Sequence, residues 1–282
     1  MNRRKITFVF CFLFCLASLF ACTTERGKES INNQQVGQKK ENVTPKPIAQ
    51  KNWNEGDFRL SKAQHRQQVI NLNQQFPDVV IYKGNPNPNL KKRVALTFDD
   101  GPDNYYTPRI LNILRAKGVH ATFFMVGKQA KSYPDMVKRI VAEGNAIGNH
   151  SWDHPKLWTL SKQQVMQEIV STQNEIQQIT GQRTTLFRPP YGRVTPAEVT
   201  LIHDLGYRVI DWSVDTLDWA GTPAPTILQY VKREVSPGGI ILEHCLAGHP
   251  GELNGTLQAL PQIIDHLKAQ GYEFVTIPTL LS

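Results

Sequence analysis

The chain has 282 residues, of which 40% are hydrophobic and 20% are charged. This length suits one large α/β barrel or two small domains, and the hydrophobic content is compatible with a sizeable core. The formal net charge is +8, and 29 basic residues against 24 acidic ones remain when Arg3, Arg4 and Lys5 are set aside. This mild positive charge suits an anionic envelope surface. No basic and aromatic cluster indicates nucleic acid as a partner.

The N-terminus has the pattern of an export signal. Three basic residues precede an uncharged apolar run, residues 6–21, which is too short to span a bilayer comfortably. The run ends in Leu19-Phe20-Ala21-Cys22, which resembles the bacterial lipobox, the signal for lipidating a cysteine and cutting just before it. We therefore predict a signal peptide over residues 1–21 and a lipid on Cys22. An ordinary signal peptide and an uncleaved anchor are the alternatives.

Residues 22–54 are predicted to form a disordered spacer, because they are polar, charged and poor in aromatic side chains. About thirty such residues have a root-mean-square reach of about 30 Å, which suits a tether between a membrane lipid and a folded body. An N-terminal extension follows over residues 55–92. It contains a predicted helix over residues 61–76, with Ser61 as N-cap, and a short strand over residues 78–83.

From residue 93 onward, strand and helix patterns alternate, which predicts a parallel sheet. The predicted strands cover residues 93–98, 120–126, 146–150, 185–188, 207–214, 239–244 and 273–277. The predicted helices are one that begins at Thr107 and stops before Gly118, and others over residues 133–143, 161–180, 195–205, 226–235 and 256–269.

Polar residues stand at or just after several of these strands, namely Asp99, His150, Arg188, Asp215 and His244. In a closed βα barrel the carboxyl edge of the strands is where active sites lie. We therefore predict an α/β protein, a distorted (β/α) barrel over residues 93–282, because the strands are short and unevenly spaced. An open doubly wound sheet is the alternative.

The segment Thr97-Phe98-Asp99-Asp100-Gly101-Pro102 places two adjacent carboxylates at the end of an apolar stretch. Its structural alternative is a strand that simply ends in a Gly-Pro turn. Combined with His150 and His154, the segment offers a metal site and one spare carboxylate. A metal-dependent hydrolase needs both, because the ligands bind the metal and the spare carboxylate deprotonates water.

The segment His150-Ser151-Trp152-Asp153-His154 contains two histidines four residues apart. On a turn of helix, both rings would face the same way and share one metal. The zinc-protease pattern would need Glu directly after the first histidine, where this chain has Ser151, so the base must come from elsewhere. One aspartate of the Asp99–Asp100 pair can complete three protein ligands and leave an open coordination position, as in catalytic sites.

Five segments in order resemble the motifs of the polysaccharide deacetylase family, carbohydrate esterase family four or NodB-like deacetylases. They are Thr-Phe-Asp-Asp-Gly-Pro, His-Ser-Trp-Asp-His, Arg188-Pro189-Pro190-Tyr191-Gly192, Asp215-Thr216-Leu217-Asp218-Trp219 and Leu242-Glu243-His244. The resemblance covers about two-thirds of the chain. It implies a distorted (β/α) barrel and a divalent metal, Zn²⁺ first, with Co²⁺, Mn²⁺ and Ni²⁺ as alternatives. It also implies removal of N- or O-acetyl groups from cell-wall or extracellular polysaccharides.

The resemblance assigns the metal to Asp100, His150 and His154. It makes Asp99 the general base that takes a proton from water. Arg188 would lie against Asp99, since a nearby positive charge favours an ionised carboxylate. A structural ion pair is the alternative role for this arginine.

The remaining family roles concern the substrate. The backbone N–H of Tyr191 would help to stabilise the oxyanion, or Tyr191 is a plain loop residue. His244 would be the general acid for the leaving amine, with Asp218 orienting its ring. Leu242 and Trp219 would form the pocket for the acetyl methyl group, with core packing as their alternative role.

Two residues depart from the family pattern. Cys245 stands where members often carry Asp, and Glu243 is an uncommon middle residue of the Leu-x-His motif. Cys245 is the only cysteine beyond the first 22 residues, so no intrachain disulfide framework is expected, and nothing else supports it as a nucleophile. His249, in a Gly-His-Pro-Gly loop, is the alternative acid or ligand to His244.

These observations predict a monomeric, exported deacetylase that is tethered to the membrane through a lipid on Cys22 and faces the cell wall. Its leading substrate is the N-acetylglucosamine of peptidoglycan, because a short tether keeps the enzyme beside the wall. Chitin-like oligomers, a biofilm glycan and acetylxylan are alternatives within the enzyme class. A catalytically silent polysaccharide-binding lipoprotein is the alternative outside it, although such a protein needs no base beside its metal.

The lipobox predicts that Cys22→Ala releases the protein from membranes, because two acyl chains give stable anchoring where one chain does not. Fractionation of cells that produce the variant and the wild type measures this. A variant that remains as membrane-bound as the wild type would show that the apolar run is an uncleaved anchor.

Overall fold

The computed structural model describes residues 61–85, 91–248 and 251–282. The strands are Val80–Ile81 (β1), Lys92–Asp99 (β2), Thr122–Met125 (β3), Ala146–Asn149 (β4), Leu186–Phe187 (β5), Arg208–Ile210 (β6), Val214–Asp215 (β7), Gly239–His244 (β8) and Tyr272–Phe274 (β9). The helices are Lys62–Gln75 (α1), Tyr106–Lys117 (α2), Gly127–Ser132 (α3), Pro134–Ala142 (α4), Lys162–Thr180 (α5), Pro196–Asp204 (α6), Ala224–Glu234 (α7), Asn254–Ala269 (α8) and Ile277–Leu280 (α9).

These strands form one parallel sheet in the order β1-β6-β5-β4-β3-β2-β8-β7, with β9 paired to β2. The sheet curls until its two ends approach. The chain just after β1 meets the start of β8, where the Gly84 N–H donates to the carbonyl of Gly238 at 2.8 Å. The predicted distorted (β/α) barrel is therefore confirmed, and the open doubly wound sheet is wrong.

The two faces of β2 explain how the barrel is filled. Val94, Leu96 and Phe98 point outward into a large apolar cluster beneath the helices, and Ala95 joins a smaller apolar cluster inside the barrel. Thr97 and Asp99 share the inward face with Ala95, since side chains alternate along a strand. The interior is thus apolar at one end and polar at the carboxyl end of the strands, where the site lies.

The N-terminal extension packs on the barrel. Ser61 caps α1 through a reciprocal capping box with Gln64, and β1 pairs in register with β6. Leu72 of α1 lies in an apolar cluster that also contains Val194. Residues 1–60, which hold the predicted signal peptide, Cys22 and the spacer, lie outside the described part of the chain.

The predicted strand over residues 207–214 is wrong, because the chain changes its pairing partner there. The Asp211 N–H donates to Ile81 of β1, whereas the Ser213 N–H donates to Ile240 of β8. One straight strand cannot pair with both, so the segment divides into β6 and β7.

Other parts of the chain also differ from the sequence pattern. Thr107 does not cap α2; the carboxylate of Asp103 accepts the N–H groups of Tyr106 and Thr107 at 3.1 and 2.7 Å. The predicted helix over residues 133–143 is α4 and follows the unpredicted α3, and the last predicted strand stops at Phe274, before α9. No helix in the described ranges is both long enough and apolar enough to cross a membrane.

Candidate active site

One cleft at the carboxyl edge of the sheet brings together most of the residues that the sequence motifs predict. Side chains from β2, β7 and β8 and from the loops that follow β4, β5, β6 and β7 form most of its wall. The predicted residues that line it are Asp99, His150, His154, Tyr191, Trp219, Leu242 and His244. Asp100, Arg188 and Asp218 contact these residues through His150, Asp99 and His244, respectively.

The candidate metal centre consists of Asp100, His150 and His154. Their ligand atoms all lie within 4.8 Å of one another. The Oδ1 atom of Asp100 is 3.3 Å from Nε2 of His150 and 3.4 Å from Nε2 of His154. This oxygen is buried and has no hydrogen-bond partner among the described residues, as expected of a ligand atom that faces a metal.

The two histidines lie on a loop, so the predicted helical turn is wrong. Ser151 and His154 have φ values of 66° and 59°, which no α-helix contains. The loop is held by side chains: Asn149 accepts the Ser151 N–H at 3.0 Å, and the Ser151 hydroxyl accepts the His154 N–H at 3.1 Å. The carboxylate of Glu168 in α5 accepts the N–H groups of Trp152 and Asp153.

The tautomer of His150 suits a metal. Its Nδ1 lies 2.7 Å from the carbonyl oxygen of Arg188, which can only accept, so Nδ1 carries the proton and Nε2 faces the cluster with its lone pair. Burial alone would raise the pKa of Asp100, but His154, His150 and His244 outweigh burial and hold that pKa well below its usual range. Two imidazoles and one ionised carboxylate are a donor set that fits a divalent metal with an open position.

Asp99 and Arg188 form a buried ion pair at the centre of the barrel. The Nη1 atom of Arg188 is 2.8 Å from Oδ1 of Asp99 and 2.8 Å from the hydroxyl of Thr97. The other Asp99 oxygen lies 3.8 Å from Nε2 of His150. The carboxylate is thus held on one side by a fixed cation and faces the metal centre on the other.

His244 is oriented by Asp218 as predicted for a general acid, although its role stays a prediction. Its Nδ1 is 2.8 Å from Oδ1 of Asp218, whose other oxygen accepts the His244 N–H and the Thr256 hydroxyl, each at 2.8 Å. Burial opposes the charged ring, but Asp218, with smaller contributions from Asp100 and Asp99, raises the pKa of His244 to about 9. The imidazole is therefore protonated at neutral pH and can donate from Nε2.

Tyr191, Trp219 and Leu242 all line the cleft, and their roles toward the substrate stay predictions. Tyr191 has a left-handed backbone, φ 62°, and its ring contacts that of His154 edge to face at 4.6 Å between centroids. Leu242 is 2% exposed and lines the cleft together with Trp219. Their placement is compatible with an oxyanion donor beside an apolar pocket.

The two departures from the family pattern lie on the opposite face of β8 from His244. Cys245 is buried and directs its thiol at the carbonyl of Asp99, and burial raises its pKa well above the ordinary range, which disfavours a thiolate nucleophile. Glu243 is fully buried, and neither of its carboxyl oxygens has a hydrogen-bond partner among the described residues. Burial, with the nearby Asp218, raises the pKa of Glu243 well above the ordinary value, so this acid is neutral. His249 lies outside the described ranges.

The cleft also contains residues that the sequence motifs do not predict. Lys62 and His65 of α1 line it, as does Trp212 in the crossing between β6 and β7. No motif carries them: a lone histidine in a predicted helix gives no sign that it reaches the site. Only the packing of α1 on the barrel brings them there.

A buried carboxylate, three possible metal ligands and an imidazole oriented by a second carboxylate meet at one edge of a (β/α) barrel, an arrangement typical of metal-dependent hydrolases. A family model described as "Polysaccharide deacetylase" matches residues 87–210. A peptidoglycan-N-acetylglucosamine deacetylase of Bacillus cereus is 40% identical over 68% of this chain and 70% of its own length. The peptidoglycan-N-acetylmuramic acid deacetylase PdaC of Bacillus subtilis is 38% identical over 67% of this chain and 39% of its own.

The structural comparison agrees. The crystal structure of the Bc1960 peptidoglycan N-acetylglucosamine deacetylase, in complex with 4-naphthalen-1-yl-N-oxidanyl-benzamide, superposes with a TM-score of 0.68 and 39% identity. It covers 71% of this chain and 91% of that one. The chain belongs to the polysaccharide deacetylase family, and the protein is a deacetylase, a hydrolase that cleaves amide C–N bonds.

The acid predicted at His244 gives the pH profile an expected shape. Wild-type kcat/KM should fall as pH rises through the pKa of His244, at or somewhat below pH 9, because a bound cation offsets the contribution of Asp100. Asp218→Asn removes the charge that raises this pKa, so the alkaline limb should move at least about one pH unit lower. Acetate release measured from pH 5 to pH 10 tests this, and an unmoved limb would assign the limb to another group.

Glu243 should lower the free energy of unfolding at neutral pH. The folded protein keeps this carboxyl protonated, while the unfolded chain ionises near 4.5, so stability is lost as pH rises above that value. Glu243→Met fills a similar volume without a buried acid and should raise the free energy of unfolding by about 1–3 kcal/mol at pH 8.

Thermal melts at pH 8 and pH 5 measure the effect of Glu243→Met, with a larger rise in Tm expected at pH 8. A variant that melts below the wild type at both pH values would show that Glu243 has a stabilising partner.

Proposed function

We propose that this protein is a membrane-tethered, metal-dependent deacetylase that acts on the N-acetylglucosamine residues of peptidoglycan. One observation carries the proposal: a buried carboxylate, a three-ligand centre and an imidazole held by Asp218 meet at a single cleft. Amide hydrolysis needs these three parts, because water must lose a proton, the carbonyl must be polarised, and the amine must gain a proton before it leaves.

Asp100, His150 and His154 would hold a divalent metal, with Zn²⁺ favoured by the two imidazoles and one carboxylate. When bound, the metal supplies a Lewis acid that polarises the amide carbonyl and makes water more acidic. Co²⁺, Mn²⁺ and Ni²⁺ are alternatives with the same donor set.

Asp99 takes the proton from the attacking water. The fixed Arg188 cation, 2.8 Å away, holds one carboxylate oxygen and prevents the group from rotating, so the other oxygen faces the metal centre. The new C–O bond puts negative charge on the former carbonyl oxygen, and the N–H of Tyr191 donates to that oxygen.

His244 completes the reaction. Since its Nδ1–H is donated to Asp218, the proton that it gives to the amide nitrogen comes from Nε2. The C–N bond then breaks, and the products are acetate and a free sugar amine. Leu242 and Trp219 receive the acetyl methyl group.

Two kinds of relative bear on the substrate. One is named for N-acetylglucosamine and the other for N-acetylmuramic acid, both in peptidoglycan. We favour N-acetylglucosamine, because a relative with that name is 40% identical to this chain, against 38% and 35% for two relatives named for N-acetylmuramic acid. N-acetylmuramic acid is the second candidate, and chitin-like, biofilm and acetylxylan glycans follow it.

The proposal includes a location outside the cytoplasm. Residues 1–21 would be removed, Cys22 would carry the lipid, residues 22–54 would act as tether, and residues 93–282 would form the catalytic domain with residues 55–92 as its extension. We propose a monomer with polysaccharide and membrane lipid, and not nucleic acid, as its partners.

Acetate release from purified peptidoglycan, N-acetylchitooligosaccharides and acetylxylan, each with and without a chelator, tests this function. We expect the highest turnover on peptidoglycan and its loss with the chelator. Mass spectrometry of the digested product locates the new amine on glucosamine or muramic acid. An enzyme that releases acetate only from chitooligosaccharides or xylan would overturn the substrate.

Substitutions of the adjacent residues Asp99 and Asp100 should have different effects on metal content and turnover. Asp100→Ala removes one of three ligands and should lower metal content markedly. Asp99→Asn keeps the shape and the metal but cannot accept a proton, so turnover should fall by about 10²–10⁴-fold.

Elemental analysis beside turnover measures both variants of this pair. Loss of metal from Asp99→Asn with retention in Asp100→Ala would reverse the two assignments. A fully active Asp99→Asn would end the base mechanism.

A further inference from the structure

Helix α1 contributes to the catalytic cleft although it precedes residues 87–210, the part that the family model matches. Lys62 and His65, one helical turn apart, line the same cleft as Asp99 and His244. His65 is the buried member of the two, since its side chain is only 10% exposed. This buried histidine is neither the proposed acid nor the proposed base.

Two contacts fix the His65 ring. Its Nε2 lies 2.8 Å from Oδ1 of Asp211, and its plane stacks on Trp212 with centroids 4.3 Å apart and an angle of 14° between the planes. Burial opposes a charged ring here, but Asp211 outweighs it and raises the pKa of His65, so the pair is ionic in character. The main-chain carbonyl of Asp211 also accepts Nη2 of Arg188 at 3.2 Å. His65 therefore contacts the segment that holds the guanidinium beside the base.

The stacked pair forms the floor of the turn that carries Tyr191. A Cβ atom on Gly192 would lie 2.4 Å from the Trp212 ring and 2.5 Å from Cε1 of His65, so the glycine main chain rests directly on both rings. Tyr191 and Gly192 both have left-handed backbones, with φ values of 62° and 61°. A non-glycine residue persists in that conformation only where its surroundings hold it.

We propose that His65 is a positioning residue for deacetylation: with Trp212 it supports the Pro190–Gly192 turn and thereby fixes the main-chain N–H of Tyr191 toward the oxyanion. The inference rests on the proposed function, because it assigns a support to a proposed donor. His65 touches no reacting atom. Its contribution therefore belongs to the transition state, in which the oxyanion exists, and not to substrate binding.

The expected result follows from that distinction. His65→Ala on the full chain should lower kcat by about 10- to 100-fold on a soluble N-acetylglucosamine oligosaccharide, since small displacements of a catalytic group have effects of this size. KM should stay within about twofold of the wild type, because an interaction made only in the transition state affects kcat alone. Metal content should not change, since Asp100, His150 and His154 do not contact this ring.

A matched control on the same helix distinguishes the support that His65 gives to the Pro190–Gly192 turn from a general loosening of α1 on the barrel. Val69 lies one turn after His65 and is 2% exposed, but it does not line the cleft. Val69→Ala should lower Tm and leave kcat near that of the wild type. An equal loss of kcat in both variants would overturn the proposal, because it would mean that any loosening of α1 has the same effect.

His65→Phe provides the conservative comparison. It keeps a flat ring on Trp212 and beneath Gly192 while it loses the Asp211 contact, so its kcat should lie between those of His65→Ala and the wild type. His65→Leu, which has no planar ring, replaces alanine in the comparison where the alanine variant does not fold. A phenylalanine variant no better than alanine or leucine overturns the stacking argument.

The remaining outcomes are distinct. A rise in KM with unchanged kcat would make His65 a substrate contact and overturn positioning. An active wild type with an equally active His65→Ala overturns this inference alone. A wild type that releases no acetate from any N-acetylated glycan overturns the proposed function, and this inference with it.

Discussion

The fixed position of Arg188 is the constraint on which the rest of the site depends. Its side chain is completely buried, and it donates to the carboxylate of Asp99, the hydroxyl of Thr97 and the carbonyls of Ile210 and Asp211. The guanidinium also lies 4.1 Å from the Phe124 ring centroid. A buried cation is tolerated only when it is paired and its N–H groups are satisfied, so these contacts leave it one position.

That position sets the geometry of the other catalytic groups. The carbonyl of Arg188 accepts Nδ1–H of His150 and thereby selects the tautomer that turns Nε2 to the metal centre. Its guanidinium orients Asp99, and the turn that begins two residues later carries Tyr191. One residue therefore connects the proposed base, a candidate metal ligand and the proposed oxyanion donor, which explains why the short β5 strand is followed at once by residues of the cleft.

Backbone strain in the described chain is concentrated at the same place. The non-glycine residues with positive φ are Asp100, Ser151, His154, Tyr191 and Leu217, and each is a candidate ligand or lies beside or in the cleft. Conformations of this kind cost about 1–3 kcal/mol each and persist where surrounding contacts over-determine them. Asn149, Glu168 and the His65–Trp212 pair are such contacts. The apolar clusters on both sides of the sheet offset this cost and that of the unpaired acid at Glu243.

Whether a feature of this protein could be predicted from its sequence depends on how far apart in the chain the interacting residues lie. The barrel and the meeting of the motif residues in one cleft were predictable, because strand periodicity is local and parallel strands bring their carboxyl ends to one edge. The helical turn at His150 and His154 was wrong, since spacing alone cannot reveal that Asn149 and Glu168 hold a loop there. The break between β6 and β7 depends on pairing with β1 and β8, which are distant in sequence. His65 was invisible for the same reason: its partners Asp211 and Trp212 lie about 146 residues away. Long-range packing therefore determines how the motif side chains are oriented, whereas the motifs determine only which functional groups are present.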